Sequence, residues 1–182
     1  MLFNSIEFAV FLPIVFALYW IVPSKQLRWR NLVLLLASYV FYGWWDWRFL
    51  GLVAFSSFVD YIVGRALGPA RSHSFRRGLL LVSVGVNIGF LGFFKYFNFF
   101  AENFYAAFTL FGQPIADPIR LSIILPVGIS FYTFQTLSYS IDVYRRKMEP
   151  TEDPVAFFAF VSFFPQLVAG PIERAAHLLP QF

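Results

Sequence analysis

The sequence has no cysteine, only two histidines and little charge: Lys, Arg, Asp and Glu together make up 13% of its 182 residues. Without cysteine there is no disulfide and no thiolate metal site. Soluble domains carry about 25% charged residues, so this chain cannot coat a water-facing surface in the usual way. It also lacks a Gly-rich phosphate loop, a paired-carboxylate constellation and an HExxH pattern. What it has instead is 59% hydrophobic and 22% aromatic residues, which excludes a disordered chain or a nucleic-acid partner. The length suits one domain, 1–182, with no repeat or flexible linker. The composition is that of a membrane protein, with the lipid bilayer as its first partner.

The apolar runs predict an all-α, polytopic transmembrane bundle of about six crossings plus an interfacial helix. The first run, Ile6 to Val22, reaches about 25 Å, most of a hydrocarbon core. Glu7 precedes it and Lys25, Arg28 and Arg30 follow, the reverse of a signal peptide's charge order, so the helix is read as retained. The second run, Asn31 to Tyr42, is extended by Trp44, Trp45 and Trp47 as an interfacial aromatic belt. The third is Phe49 to Val63 and the fourth Leu79 to Phe94. Phe97 to Phe111 is broken by Asn98, Glu102 and Asn103, which predicts an interfacial or half-inserted helix. Leu121 to Tyr144 is the fifth crossing, and Val155 to Val168 leads into Gly170-Pro171.

Net charge is +4, and its placement carries more information than its size. Runs one, three and five each end in basic residues, at 25–30, 65–77 and 145–147. These share a side only if 97–111 does not cross. Basic loops face the cytoplasm, so a multi-pass membrane protein is expected, with these three loops in the cytoplasm and the amino terminus outside.

Several residues within these runs call for an explanation. Gly78, Gly85, Gly89 and Gly92 share one helical stripe and suit close helix packing. Asp60, near the inner end of the third run, suits a capping or pairing role with Arg65 a turn away. Lys95 and Glu102 can snorkel to water. His73 lies in a basic loop and is expected to be solvated, and His177, after the Gly-Pro turn, is expected to be an interfacial loop histidine rather than a general base.

Two stretches are more informative. In Leu125–Tyr144, Pro126 and Gly128 give an irregular start. Beyond them Tyr132, Gln135, Tyr139 and Asp142 form one polar stripe, and Thr133, Thr136 and Ser140 another. Lipid cannot satisfy so many hydrogen-bonding groups, so the helix must be enclosed, either as glue between helices or as the lining of a tunnel. In Ser162–Arg174, Pro165 and Gly170-Pro171 interrupt a helix at membrane depth, followed by Glu173 and Arg174. Broken helices of this kind border a cavity or a protein interior, although a plain turn at the end of a span would look the same.

These stretches, LPVGISFYTFQTLSYSIDVY and SFFPQLVAGPIER, with Pro180-Gln181 beyond, resemble the membrane-bound O-acyltransferase (MBOAT) family in its alginate O-acetyltransferase-like bacterial branch. Weaker likeness covers Leu32–Tyr42, the tryptophan belt, Phe58–Tyr61 and Phe93–Phe99. The family commonly has glycine where this chain has Arg146. The resemblance implies a multi-helix enzyme that moves an acyl group, usually acetyl, onto a polysaccharide hydroxyl through a tunnel. Its acyl donor would be acetyl-CoA or another carrier rather than a bound cofactor. Its partners would be an exopolysaccharide or glycan acceptor and other polysaccharide-acetylation proteins.

The family's histidine, thought to act as general base, lies in a Trp-His-Gly motif well downstream of the Gly-Pro-Ile-x-Arg segment. No Trp-His pair occurs here, and neither His73 nor His177 occupies that place. The resemblance therefore implies an incomplete MBOAT fold: the amino-terminal part of an acyltransferase, a fragment with no catalytic residue of its own. Tyr132, Gln135, Tyr139, Asp142, Gln166 and Arg174 are the expected tunnel-lining residues. A transporter component or a non-catalytic scaffold of a polysaccharide assembly would share the same spans.

Overall fold

The computed structural model describes residues 3–68, 72–110, 121–171 and 173–182. Arg71, Phe111 and Ile172 of the sequence reading lie outside them. The described residues are helical without strands: α1 (Ile6–Ile21), α2 (Leu27–Ala66), α3 (His73–Leu91), α4 (Phe97–Leu110), α5 (Ile129–Tyr144), α6 (Pro154–Ser162), α7 (Phe164–Ala169) and α8 (Ala175–Leu178). A π turn, Gly92–Tyr96, joins α3 to α4, and a 3-10 turn, Leu179–Gln181, ends the chain. Two helices are long and apolar enough to cross a membrane, Leu27–Ala66 and His73–Phe108. Ile6–Ile21 and Pro154–Leu167 are apolar but shorter.

The second and third apolar runs form one helix broken at Asp46, whose backbone is extended (φ −159°, ψ 115°). Arg28, near the start of α2, lines a cleft with Val155. Tyr61, near its end, donates to the Glu152 carbonyl at 2.8 Å. A straight helix would hold Arg28 and Tyr61 about 50 Å apart, whereas three residues of chain span at most about 11 Å. The halves 27–45 and 47–66 therefore double back at Asp46. The break is held by Arg48, which pairs with the Asp46 carboxylate at 3.0 Å.

This hairpin sets the two ends of the molecule. Arg76, in the first turn of α3, donates Nε to the Leu67 carbonyl at 3.1 Å. Its Nη2 donates to the Val143 and Tyr144 carbonyls at 3.3 and 2.8 Å. A cation suits the negative ends of α2 and α5. The described basic groups at 25–30, 65–68, 72–77 and 145–147 thus gather at one end of the bundle, as the sequence pattern predicts. At the other end one cleft brings together Asp46, Arg48, Phe93, Phe94 and Ser122–Ile124. Trp44, Trp45 and Trp47 are exposed there.

Other expectations are corrected. The fifth run is helical only from Ile129, because Pro126 has no amide to donate and Gly128 takes a left-handed φ of +74°. There a Cβ would lie 2.5 Å from the Tyr42 hydroxyl. Residues 97–110 continue α3 through the π turn with no intervening loop. The combined 36 residues reach about 54 Å, so α4 extends past a core of about 30 Å. Asn98 closes the excursion that follows: it donates to the Leu121 carbonyl at 2.9 Å and accepts from its amide at 3.1 Å. The glycines of the predicted stripe meet no neighbour among the described residues, where nothing lies within 4 Å of a Cβ at Gly78, Gly85, Gly89 or Gly92. Instead α3 buries Arg76, Ser83, Asn87 and Leu91.

Candidate functional site

The molecule places apolar side chains outside and polar ones inside. Phe16, Trp20, Leu81, Phe100 and Phe104 are exposed, while Ser56, Asp60, Ser83, Asn87, Thr136, Gln135 and Ser140 are buried. Uncompensated, such burial is costly, so each group needs a partner.

The first polar cluster joins α2, α3 and α5 around Asp60. Its carboxylate accepts from the Ser83 hydroxyl, from Asn87 Nδ2 at 2.7 Å and from the Ser140 hydroxyl at 3.0 Å. Asn87 Oδ1 accepts from Ser56 at 2.9 Å and Thr136 at 3.1 Å. Asn87 Nδ2 also donates to the Ser83 carbonyl at 3.0 Å, so every donor and acceptor of Asn87 is engaged, which fixes the amide orientation. Arg65, the partner expected from its spacing, donates instead to the Tyr61 hydroxyl at 3.3 Å. Sequence reading missed this cluster because Ser83 and Asn87 looked ordinary beside the glycine stripe. The signal was their spacing of four, which puts both on one helix face.

The second polar cluster surrounds the broken helix. The helix stops at Ser162, and Phe163 leaves helical geometry (ψ 104°) two residues before Pro165. Two backbone groups lose their helical partners. The Phe160 carbonyl accepts from Gln135 Nε2 at 3.0 Å, and the Phe164 amide donates to Ser38 Oγ at 3.3 Å. Gln135 Nε2 also approaches Gln166 Oε1 at 3.4 Å, and Gln166 Nε2 donates to the Pro171 carbonyl at 3.0 Å. Ser138 accepts from the Ala175 amide at 3.2 Å, tying α8 to α5. Side chains of α5 and α2 therefore do what water would do for a soluble break.

The expected site residues divide accordingly. Gln135 and Gln166 meet. Tyr139 is wholly buried: its ring packs on Phe157 at 4.7 Å and its hydroxyl accepts from the Thr151 amide at 3.2 Å. Tyr132 is buried on the same stripe, and neither its hydroxyl nor that of Thr133 has a hydrogen-bond partner among the described residues. Asp142 is buried at the basic end, where its carbonyl accepts from the Lys147 amide at 2.9 Å. Arg174 is exposed and starts α8 through its backbone carbonyl. His73 and His177 are exposed, His73 as expected and lying 3.3 Å from the Tyr144 hydroxyl. No group of metal-ligating side chains forms among the described residues.

Fold and site define a helical membrane protein whose polar groups are turned inward from α2, α3 and α5. Comparison with known proteins gives its relatives. The chain is 45% identical over 186 residues to the probable alginate O-acetylase AlgI of Azotobacter vinelandii, covering all of this chain and 36% of that protein. It is 44% identical over 186 residues to the protein of the same name from Pseudomonas aeruginosa, covering 34% of it. To a peptidoglycan O-acetyltransferase of Helicobacter pylori it is 34% identical over 209 residues, covering 38%. No family model and no solved structure matches the chain. Along its whole length the chain is thus similar to part of proteins named as alginate O-acetylases and a peptidoglycan O-acetyltransferase. It spans about a third of the length of the curated relatives it matches.

Proposed function

We propose that this chain forms part of a membrane O-acetyltransferase that moves an acetyl group onto hydroxyls of an alginate-like exopolysaccharide or another envelope glycan. The observation that carries this reading is the identity of 44–45% to alginate O-acetylases over all of this chain. The buried side of α5 supports it, since a transfer path through lipid needs a wall of polar groups held by neighbouring helices. Tyr132, Gln135, Tyr139, Asp142, Gln166 and Arg174 are assigned to that wall. Tyr132 would supply a hydroxyl donor, and Gln135 and Gln166 would hold the break open. Acetyl-CoA or another acyl carrier would be the donor.

Acyl transfer to a hydroxyl needs a base near neutral pH. His73 and His177 are exposed and apart from the α5 clusters, so the chain is inactive alone. Positive-inside charge puts the 25–30, 65–77 and 145–147 end in the cytoplasm and the amino terminus outside an inner membrane. About six crossings follow if α1, both halves of α2, α3, α5 and α6–α7 each count, with α4 interfacial.

A chimera tests the reading. The matching third of the Azotobacter vinelandii protein is replaced by this chain, and acetyl ester on alginate is measured in cells lacking the native protein. Restored acetylation is expected, and Gln135→Leu in the chimera should lower it by more than it lowers membrane abundance. A chimera that inserts normally yet leaves alginate unacetylated overturns the assignment, as does acetyl transfer by the purified chain alone that is lost on mutating His177.

A further inference from the structure

A groove on the outer face of α1 has a charged end and an apolar length. Leu12, Val15, Phe16, Tyr19 and Trp20 line one side and Phe163–Pro165 the other, enclosing about 370 Å³. The floor is therefore the break between α6 and α7. At the Tyr19–Trp20 end sits Arg30. Its Nε donates to the Val22 carbonyl at 2.9 Å, and its guanidinium carbon lies 4.9 Å above the Tyr19 ring and 5.5 Å from Trp20. These contacts fix a half-buried cation in place, and its Nη groups make no hydrogen bond among the described residues.

We propose that this groove is a binding site for one anionic phospholipid, with an acyl chain along α1 to Pro165 and the headgroup phosphate on Arg30. Charge complementarity and position select that occupant. The groove opens at the end where the basic clusters gather, so its charged mouth stands at headgroup level and its apolar length at chain depth. Arginine suits a phosphate because its two Nη groups can bind two oxygens together. The inference does not depend on acyl transfer.

The test is native mass spectrometry of the purified chain after incubation with phosphatidylglycerol and phosphatidylcholine of identical acyl chains. One fixed cation near a headgroup predicts about fivefold preference for phosphatidylglycerol. Arg30→Gln should equalise the two lipids, and Arg30→Lys, which keeps the charge without the fork, should keep only part of the preference. Leu12→Trp, at a half-exposed position, should fill the groove and reduce retention of both. Free glycerol phosphate at millimolar concentration should not compete. Equal retention by the parent chain, an undiminished preference in Arg30→Gln, or displacement by glycerol phosphate overturns the proposal. If Arg30→Gln does not fold, Leu12→Trp decides: unchanged retention would mean that the groove holds no lipid chain.

Discussion

Single positions show how little space the interior leaves. At Gly64 a Cβ would lie 2.4 Å from Cε1 of Tyr139, a ring already pressed on Phe157. Gly64→Ala should therefore destabilise by about 1–3 kcal/mol, read as a lower midpoint in detergent melts. Arg146 is a different case. It has φ +59°, a left-handed conformation that costs a side-chain-bearing residue about 1–2 kcal/mol. The glycine common at that place in the family is explained by the turn after α5, and Arg146→Gly should raise the melting midpoint. At Asn87, leucine would remove two acceptor bonds and one donor bond from Ser56, Thr136 and Asp60. A buried carboxylate missing a partner costs about 1–3 kcal/mol or more, so Asn87→Leu should reduce folded yield far more than the surface change Leu81→Ala.

Among the elements, the break at Phe163 is the most dependent on neighbours. The extended ψ of Phe163 parts the Phe164 amide from the Phe160 carbonyl, and these two groups are answered from two other helices. Ser38→Ala should leave the Phe164 amide unpaired and cost about 1–3 kcal/mol. Ser38→Thr, which keeps a hydroxyl, should restore most of the loss. Equal melts for both variants would mean that water serves the amide and that the break is wet. The two polar faces of α5 were readable from their spacing, and so was their need for shielding. Which helix shields which face was not readable: Thr136 and Ser140 turn to α2 and α3, and Gln135 turns to α6 and α7.

For the molecule as a whole, the absence of cysteine provides a direct test of the end-to-end arrangement. Single cysteines at Lys25, Arg77 and Lys147 should react with an impermeant maleimide from one side of sealed vesicles, and one at Trp47 from the other. Labelling of Lys147→Cys with Trp47→Cys would contradict the common basic end that Arg76 holds together. Arg76→Ala, which removes three hydrogen bonds to carbonyls of α2 and α5, should loosen that end and speed proteolysis near 145–152. Arg76→Lys should rescue only in part, since a single ammonium cannot reproduce the planar fork.

Composition alone determined that the protein is helical, of membrane type and polar within, because lipid admits no unpaired backbone and few charges. The positions of Pro126, Gly128 and Pro165 likewise fixed where helices must stop, since those effects act within a turn of chain. Tertiary structure decided the reversal at Asp46, the idle glycine stripe of α3 and the partners of Asp60. The partners of Asp60 lie 23 to 80 residues away in sequence and the reversal rests on a bond between groups 91 apart, and such contacts are chosen by distance in space, which no local pattern encodes.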